Sequence, residues 1–518
     1  MNGAQALLRT LAEAGVQVCF TNPGTSEMHF VAALDEVPRM RAVLTLFEGV
    51  ATGAADGYAR MAGHPAATLL HLGPGLGNGL ANLHNAAKGG SGVVNIVGDH
   101  ATYHAGYDAP LQSDIATAAR NVSGWVRTSR TTAGLPADAV EAVAVASGPP
   151  GQVATLILPA DVSWDDGAQP APPAEPAKPA QVDQAVVRRL AAVLDGGERT
   201  GLLLGGRALR ERGLVAAARL AAARGVRVLA ETFPARLERG AGLPGVDRLA
   251  YLAEFATAQL AGLDDLILVD AKDPVSFFAY PGKPSRLAPD GCRVHRLTGG
   301  PDDVPATLEA LVEAAGATGA APQLRQPATP ELPSGPLSAR AVCQAVGALL
   351  PPGAIISDEA QTSGIFLAEA TAGAPRHDVL CLTGGSIGQG LPVAVGAAVA
   401  CPDRPVIALE ADGSALYTFQ ALWTMARENL NVTVVLFNNR SYAVLNMELD
   451  RVGAGSPGPR ARAQLDLSEP PVDFVALASG LGVPASRPET AEELVADLRR
   501  ALAEPGPHLI EAVVEPIF

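Results

Sequence analysis

The sequence predicts an α/β protein of three domains, each a parallel sheet flanked by helices, and three observations carry that prediction. Its 518 residues exceed what one hydrophobic core accommodates, so about three domains of ordinary size are expected. Short β-branched runs alternate with amphipathic helical stretches, the pattern of parallel α/β layers. Two stretches rich in Pro, Ala and Gly, Asp165–Gln184 and Gly316–Ser338, break the alternation and read as linkers. They divide the chain into 1–164, 185–315 and 339–518.

In the first segment a helix over Gly49–Met61 leads to a strand, Ala66–His71, a glycine turn, Gly73–Gly77, and a helix over Asn78–Ala87. The middle segment opens on Gly201–Gly206 (GLLLGG) and a helix over Glu211–Arg224. A dinucleotide site would need a full G-x-G-x-x-G and a ribose-binding acid, and neither is present, so a structural domain is expected. In the third segment a helix over Leu391–Ala400 precedes strand Pro405–Glu410, the turn Ala411–Ser414 and a helix over Ala415–Glu428. The helix–strand–glycine turn–helix unit thus occurs in both outer segments, which alone is weak evidence of duplication.

Composition narrows the function classes. Hydrophobic residues make up 48% and charged residues 18%, as in a well-buried globular protein. No apolar run approaches the roughly 20 residues that span a bilayer. Met-Asn-Gly-Ala-Gln lacks the basic start and apolar stretch of a signal peptide, so a cytoplasmic location is expected. The net charge of −15 argues against nucleic acid or an anionic membrane as partner. A bound divalent metal would give such a chain the local positive charge that anionic substrates need. Cys19, Cys292, Cys343, Cys381 and Cys401 show no metal-type spacing and read as buried small hydrophobes.

The strongest chemistry lies between Val406 and Val444. One strand ends at Asp412-Gly413-Ser414, and the next, Val432–Phe437, ends at Asn438-Asn439. In a right-handed βαβ unit both strands finish at the same sheet edge, where ligands of open α/β sheets bind. One carboxylate and one amide oxygen, from Asp412 and Asn439, suit Mg²⁺, which completes its shell with phosphate oxygens and water. Gly413 and Ser414 open a helix, so their N–H groups and the helix dipole suit a phosphate. Metal and helix start converge on one diphosphate.

Asp412-Gly413, 24 further residues and Asn438-Asn439 resemble the cofactor motif of thiamine-diphosphate-dependent enzymes, with Ala411 in place of the motif's first glycine. The resemblance implies Asp412, the Asn439 side chain and the Ser441 carbonyl as Mg²⁺ ligands. It implies Gly413, Ser414 and Tyr442 along the diphosphate, with Gln361 and Thr362 as further contacts. Gly384-Gly385-Ser386-Ile387-Gly388 is similar to the segment that bends the cofactor, with Ile387 between its rings and the Gly385 carbonyl on the pyrimidine. Glu48, between the apolar run Val43–Phe47 and a small-residue helix, matches the carboxyl group that activates the aminopyrimidine. The resemblance also implies a homodimer or homotetramer, Glu48 coming from one subunit and the diphosphate site from another.

The domain order resembles acetolactate synthases, pyruvate oxidases and benzoylformate decarboxylases, with Asn22–Glu27 (NPGTSE) and Leu156–Val162 (LILPADV) similar to that group. It implies a carboligase or decarboxylase acting on a small 2-oxo acid through a C2 ylid and an enamine, most like the acetolactate synthase large subunits. Ser26 and His71 instead match the serine and first histidine of benzoylformate decarboxylase-like enzymes, which makes non-oxidative decarboxylation the alternative. The second histidine of those enzymes has no match, since the corresponding stretch reads Val275-Ser276-Phe277-Phe278-Ala279-Tyr280. His100 and His104, just after a strand, read as surface or loop histidines or as secondary candidates for the substrate side, where Gln112 is a further candidate. Neither flavin nor CoA is expected. Arg451–Gln464, rich in Gly, Pro and Arg, reads as a substrate-facing lid or a plain surface loop. A catalytically silent regulatory homologue is a further alternative, which the intact Glu48, Asp412 and Asn439 oppose.

Overall fold

The computed structural model describes residues 1–175, 177–455 and 457–517. Pro176, in the first linker, and Ser456, in the Arg451–Gln464 segment, lie outside the described residues.

Three sheets are built in chain order. The first holds β1 (Val18–Asn22), β2 (Arg41–Leu44), β3 (Ala66–Leu70), β4 (Val93–Asp99), β5 (Trp125–Thr128) and β6 (Val153–Pro159), in the order β2-β1-β3-β4-β6-β5. All its pairings are parallel. The middle segment contributes β7 (Thr200–Leu204), β8 (Arg227–Ala230), β9 (Leu237–Arg239), β10 (Asp247–Arg248), β11 (Asp265–Val269) and β12 (Arg293–Thr298). Five of these form a sheet ordered β10-β8-β7-β11-β12. The third sheet uses β13 (Ile355–Glu359), β14 (His377–Cys381), β15 (Val406–Ala411), β16 (Val432–Asn438), β17 (Ala485–Ser486) and β18 (His508–Val513). Its order is β17-β18-β16-β15-β13-β14-β9. The departure from an all-parallel plan is β9, which leaves the middle segment and pairs antiparallel with β14.

Strand order fixes where ligands can bind. Successive connections leave β1, β7 and β13 in opposite directions, so each sheet has a switch point: β1/β3, β7/β11 and β13/β15. Crevices open at the carboxyl ends of those strand pairs. In the middle sheet the Gly206 N–H donates to Glu231 (2.9 Å) and Arg207 pairs with Asp270 (3.0 Å), so the groups at that switch point are engaged by the chain's own carboxylates.

One apolar core runs through the first and third sheets, joined by helices Glu48–Ala62 and Gly390–Ala400. Their contact depends on glycine. A Cβ at Gly57 would lie 2.2 Å from the Val393 carbonyl oxygen, and one at Gly396 would lie 1.9 Å from that of Ala54. Buried Asp56 and Arg60 add a polar tie: Arg60 pairs with Asp56 at 2.6 Å and donates to the Cys381 carbonyl at 2.8 Å.

Two expected turns are helical. Gly73–Gly77 lies inside helix Leu72–Gly89, and the chain reverses at Leu72 alone, with φ +51°. Within this helix Gly75 faces the Glu48 carboxyl and Gly79 faces Thr52. At Ala411–Ser414 a helix begins at Asp412 and ends at Ala415, and the next runs from Ala421 to Arg427. The break lets the Thr418 hydroxyl donate to the Gly388 carbonyl, 3.0 Å away. Among the described residues no helix is long and apolar enough to cross a membrane. The five cysteines are free, four of them buried and Cys401 half-buried.

Candidate active site

The third-sheet crevice collects the diphosphate candidates. β13 and β15 are in register, Glu359 beside Glu410, so Gln361 and Asp412 leave neighbouring strand ends. Asp412 is buried, and its carboxylate accepts from the Gly413 N–H (2.9 Å) and the Arg440 N–H (2.6 Å). The second bond ties the start of helix Asp412–Ala415 to the Asn438–Ser441 loop. There the buried Asn439 amide oxygen accepts from the Ser441 N–H at 3.0 Å. Burial pushes the Asp412 carboxyl up to about 6, a cost that a bound cation would offset. Gly413 has no room for a side chain, since a Cβ would meet the Tyr442 ring at 2.4 Å. Ser414 is buried beside it, while Gln361 and Thr362 are half-buried.

Backbone strain marks the same places. Among the described residues six non-glycine residues have positive φ, and three of them are Leu72, Gln361 and Arg440, each at a switch point or inside the asparagine loop. Such conformations persist where the surroundings impose them, and they cluster at functional sites.

The Gly384–Gly388 segment is held from three sides. Asn85 donates to the Ser386 carbonyl (2.8 Å), Asn82 to the Gly388 carbonyl (3.1 Å), and Glu359 accepts from the Gly388 and Gly390 N–H groups (2.8 and 2.6 Å). Glu359 has no assignment in the sequence reading, although two acids ending a strand, Asp358-Glu359, were the available signal. Burial pushes it up to about 7, and Glu410, buried against it, is raised further by burial and by the Glu359 charge. Gly385 is exposed and Ile387 half-buried.

The first-sheet crevice holds Ser26, Glu48 and His71. Ser26 lies in the short turn of helix after β1, and His71 directly follows β3. Between them stands Glu27, to which the sequence reading gave no role. It is fully buried, and one carboxylate oxygen accepts from the Gly24 N–H (2.7 Å) and from His71 Nδ1–H (2.8 Å). Its other oxygen has no partner. Burial lifts the Glu27 carboxyl above the ordinary range, opposed by the Gly24 bond and by His71. Both neighbours must be glycine, because a Cβ at Gly24 would strike the His71 ring and one at Gly98 the Glu27 carboxylate. Glu48 opens its helix, buried, and accepts from the Asn78 amide at 3.0 Å.

The secondary candidates divide. A Cβ at Gly73 would meet Ser113, so the Asp99–Ser113 loop lies close to His71. It carries Gln112 with a buried, unpartnered amide oxygen, and His100, tilted at 55° against His104 with ring centroids 5.4 Å apart, with a buried unpartnered Nε2. Arg451 is committed elsewhere. It belongs to helix Ala443–Arg451 and pairs with Glu254 (2.9 Å), with Glu448 beside it, so it does not offer a free charge to a substrate. Glu48 and Asp412 make their hydrogen bonds within their own domains. Among the described residues no cluster of three His, Cys, Asp or Glu could hold a metal. The Asp412–Asn439–Ser441 set, with one carboxylate, fits instead an ion that shares its shell with phosphate.

A glycine-fitted cradle, a carboxylate–amide pair at one switch point and a buried acid at the other define a cofactor-dependent α/β enzyme. Residues 1–119 match the family model for the thiamine pyrophosphate enzyme N-terminal TPP-binding domain, and residues 363–512 the C-terminal TPP-binding domain. The chain belongs to the thiamine pyrophosphate enzyme family. It is 60% identical over 518 residues, 99% of each chain, to a Mycobacterium tuberculosis (H37Rv) protein named as an acetolactate synthase large subunit, IlvX. It is 31% identical, over 98% of each chain, to benzoylformate decarboxylase of Pseudomonas aeruginosa. The fold superposes on the Rhodococcus jostii 4-hydroxybenzoylformate decarboxylase structure with a TM-score of 0.86, covering 99% of each chain at 25% identity. It is a thiamine-pyrophosphate-dependent enzyme of the acetolactate synthase and benzoylformate decarboxylase kind.

Proposed function

We propose that this enzyme decarboxylates a 2-oxo acid without oxidation and delivers a proton to the product through His71. The observation that carries the reading is the Glu27–His71 pair at the β1/β3 switch point. Asp412, Asn439 and the Ser441 carbonyl would hold Mg²⁺. Gly413, Ser414, Tyr442, Gln361 and Thr362 would line the diphosphate, and Gly385 and Ile387 the rings. Thiamine diphosphate, when bound, supplies the carbon nucleophile and the sink for the electrons left as CO₂ departs. Glu48 would hold a proton against the cofactor's pyrimidine nitrogen. With Nδ1–H committed to Glu27, His71 Nε2 is free to bind the substrate carboxylate or carry a proton, and Ser26 orients the substrate beside it. The site would be completed between two subunits, one giving Glu48 and His71, the other Asp412 and Asn439.

Carboligation of the acetolactate type is the second reading. It is favoured by Phe277 and Phe278, which supply no proton donor where a second histidine would sit, and by the likeness to IlvX. Product analysis with pyruvate and with benzoylformate, thiamine diphosphate and Mg²⁺ present, tests both. Free aldehyde is expected. Acetolactate from pyruvate, with no aldehyde, would overturn the first reading in favour of the second.

A further inference from the structure

Two buried acids stand side by side at the third-sheet switch point, and the proposed mechanism uses neither. Glu359 ends β13, and Glu410 is its neighbour in β15. Glu359 grips the chain just beyond Ile387: one carboxylate oxygen accepts from the Gly388 N–H at 2.8 Å, the other from the Gly390 N–H at 2.6 Å. Ser357, two residues earlier and so on the same face of the strand, donates to the Gly390 carbonyl at 2.8 Å. The grip depends on glycine. A Cβ at Gly390 would lie 2.9 Å from the Glu359 Cβ and 2.0 Å from a Glu410 carboxylate oxygen. One at Gly388, where φ is +90°, would meet the Tyr417 Cβ at 2.5 Å.

Burial disfavours the charged form of a carboxylate, so a neutral acceptor would satisfy a lone N–H at less cost. What a carboxylate adds is geometry. Its two equivalent oxygens hold two donors at a fixed spacing, through charge-assisted bonds that are shorter and stronger than neutral ones. Glutamine in its place would offer one oxygen and turn its NH₂ towards the second N–H. The other side of Ile387 is held independently. Asn85, in helix Leu72–Gly89, accepts from the Ser386 N–H (3.2 Å) and donates to the Ser386 carbonyl (2.8 Å). Two residues past Glu359 the same strand end delivers Gln361, at φ +51°. One short stretch of backbone, 359–361, therefore joins the cradle to the place proposed for the diphosphate.

We infer that Glu359 is a positioning residue, which fixes Ile387 relative to Gln361 and so decides how the rings of thiamine diphosphate sit once its diphosphate is bound. It acts through Gly388 and Ile387 rather than on the substrate. The inference rests on the proposed placement of the rings at Gly385 and Ile387.

The test separates the two ends of the cofactor. Full-length protein stripped of cofactor is titrated calorimetrically with thiamine diphosphate and, separately, with inorganic pyrophosphate, Mg²⁺ being present in both. Glu359→Gln leaves one buried N–H without an acceptor. It is expected to lose roughly tenfold or more in affinity for thiamine diphosphate and less than about twofold for pyrophosphate. At saturating cofactor kcat should fall by roughly tenfold or more while KM stays within about threefold, because the reacting groups are misplaced rather than lost. Glu359→Asp keeps both oxygens on a shorter stem; it should show a smaller split in the same direction, and supplies the reading if the glutamine variant does not fold. Ser357→Ala removes a neighbouring buried hydrogen bond but leaves the Gly388 N–H engaged, and both affinities should stay within about twofold. Equal losses for the two ligands in the Glu359 variants, or no loss for either, would overturn the inference. So would a matching split in Ser357→Ala, which would reduce the effect to general packing. Ile387→Ala checks the ring placement by itself: unchanged thiamine diphosphate affinity there would overturn that part of the proposed function, and the role of Glu359 with it. Failure of the unsubstituted protein to bind thiamine diphosphate would defeat the proposed function as a whole.

Discussion

His71 and Glu27 meet at 2.8 Å, one directly after β3 and the other after β1, and the carboxylate beneath the imidazole is fully buried. The contact fixes the ring's tautomer and orientation, as a buried acid does for a catalytic histidine. Glu27→Gln is expected to lower kcat by roughly a hundredfold while thiamine diphosphate affinity stays within about twofold. The pH dependence of kcat should shift with it. An unchanged profile, measured from pH 5 to 9, would reduce the pair to a structural bond. His71→Ala should raise KM and lower kcat without loss of cofactor.

The two carboxylates assigned to the cofactor should separate in their readouts. Glu48→Gln keeps the hydrogen-bonding shape beside Asn78 and is expected to bind cofactor while losing roughly a hundredfold or more in turnover. Asp412→Ala removes the bond to the Arg440 N–H together with the proposed metal ligand, and Mg²⁺-dependent cofactor binding should disappear. Fluorescence titration with and without Mg²⁺ distinguishes the two variants.

Helix Gly390–Ala400 crosses helix Glu48–Ala62 so closely that Gly396 admits no methyl group. Gly396→Ala must push the Ala54 backbone aside, and a loss of about 3 kcal/mol is expected from overpacking. Thermal unfolding of the cofactor-free protein would record it. A melting temperature equal to that of the parent would mean that the helices move apart freely.

His377 carries an acid sensitivity. Burial lowers its imidazole to about 4, its Nδ1–H donates to the Pro375 carbonyl at 2.8 Å, and Nε2 is buried without a partner. The folded value lies below the unfolded value of 6.5, so the stabilisation is complete above pH 6.5 and is lost as pH falls towards 4. Its upper bound is roughly 3 kcal/mol. His377→Asn should flatten the fall in stability between those pH values, as measured by urea unfolding.

Features set by local chemistry were legible in the sequence. The strands leading to Asp412 and Asn439, and the helix after Glu48, declare themselves through β-branched runs and residue periodicity. Pairings across the sheet were not. Glu27 meets His71 only because β1 and β3 are neighbours, and 44 residues separate the two. Glu359 reaches Gly388 across 29 residues for the same reason. Glycine was ambiguous: Gly73–Gly77 reads as a turn because a glycine that bends the chain and one that lets helices touch look alike in sequence. The three residues of β9 are too few to show any alternation.

That short strand also explains why a domain holding none of the proposed metal ligands cannot be trimmed away. Leu237–Arg239 covers the β14 edge of the third sheet, whose unpaired N–H and C=O groups would otherwise invite pairing with a stranger's strand. Excising residues 185–315 would leave the catalytic half soluble only until two copies found each other's bare flank. The middle segment thus lends the third sheet its outermost strand.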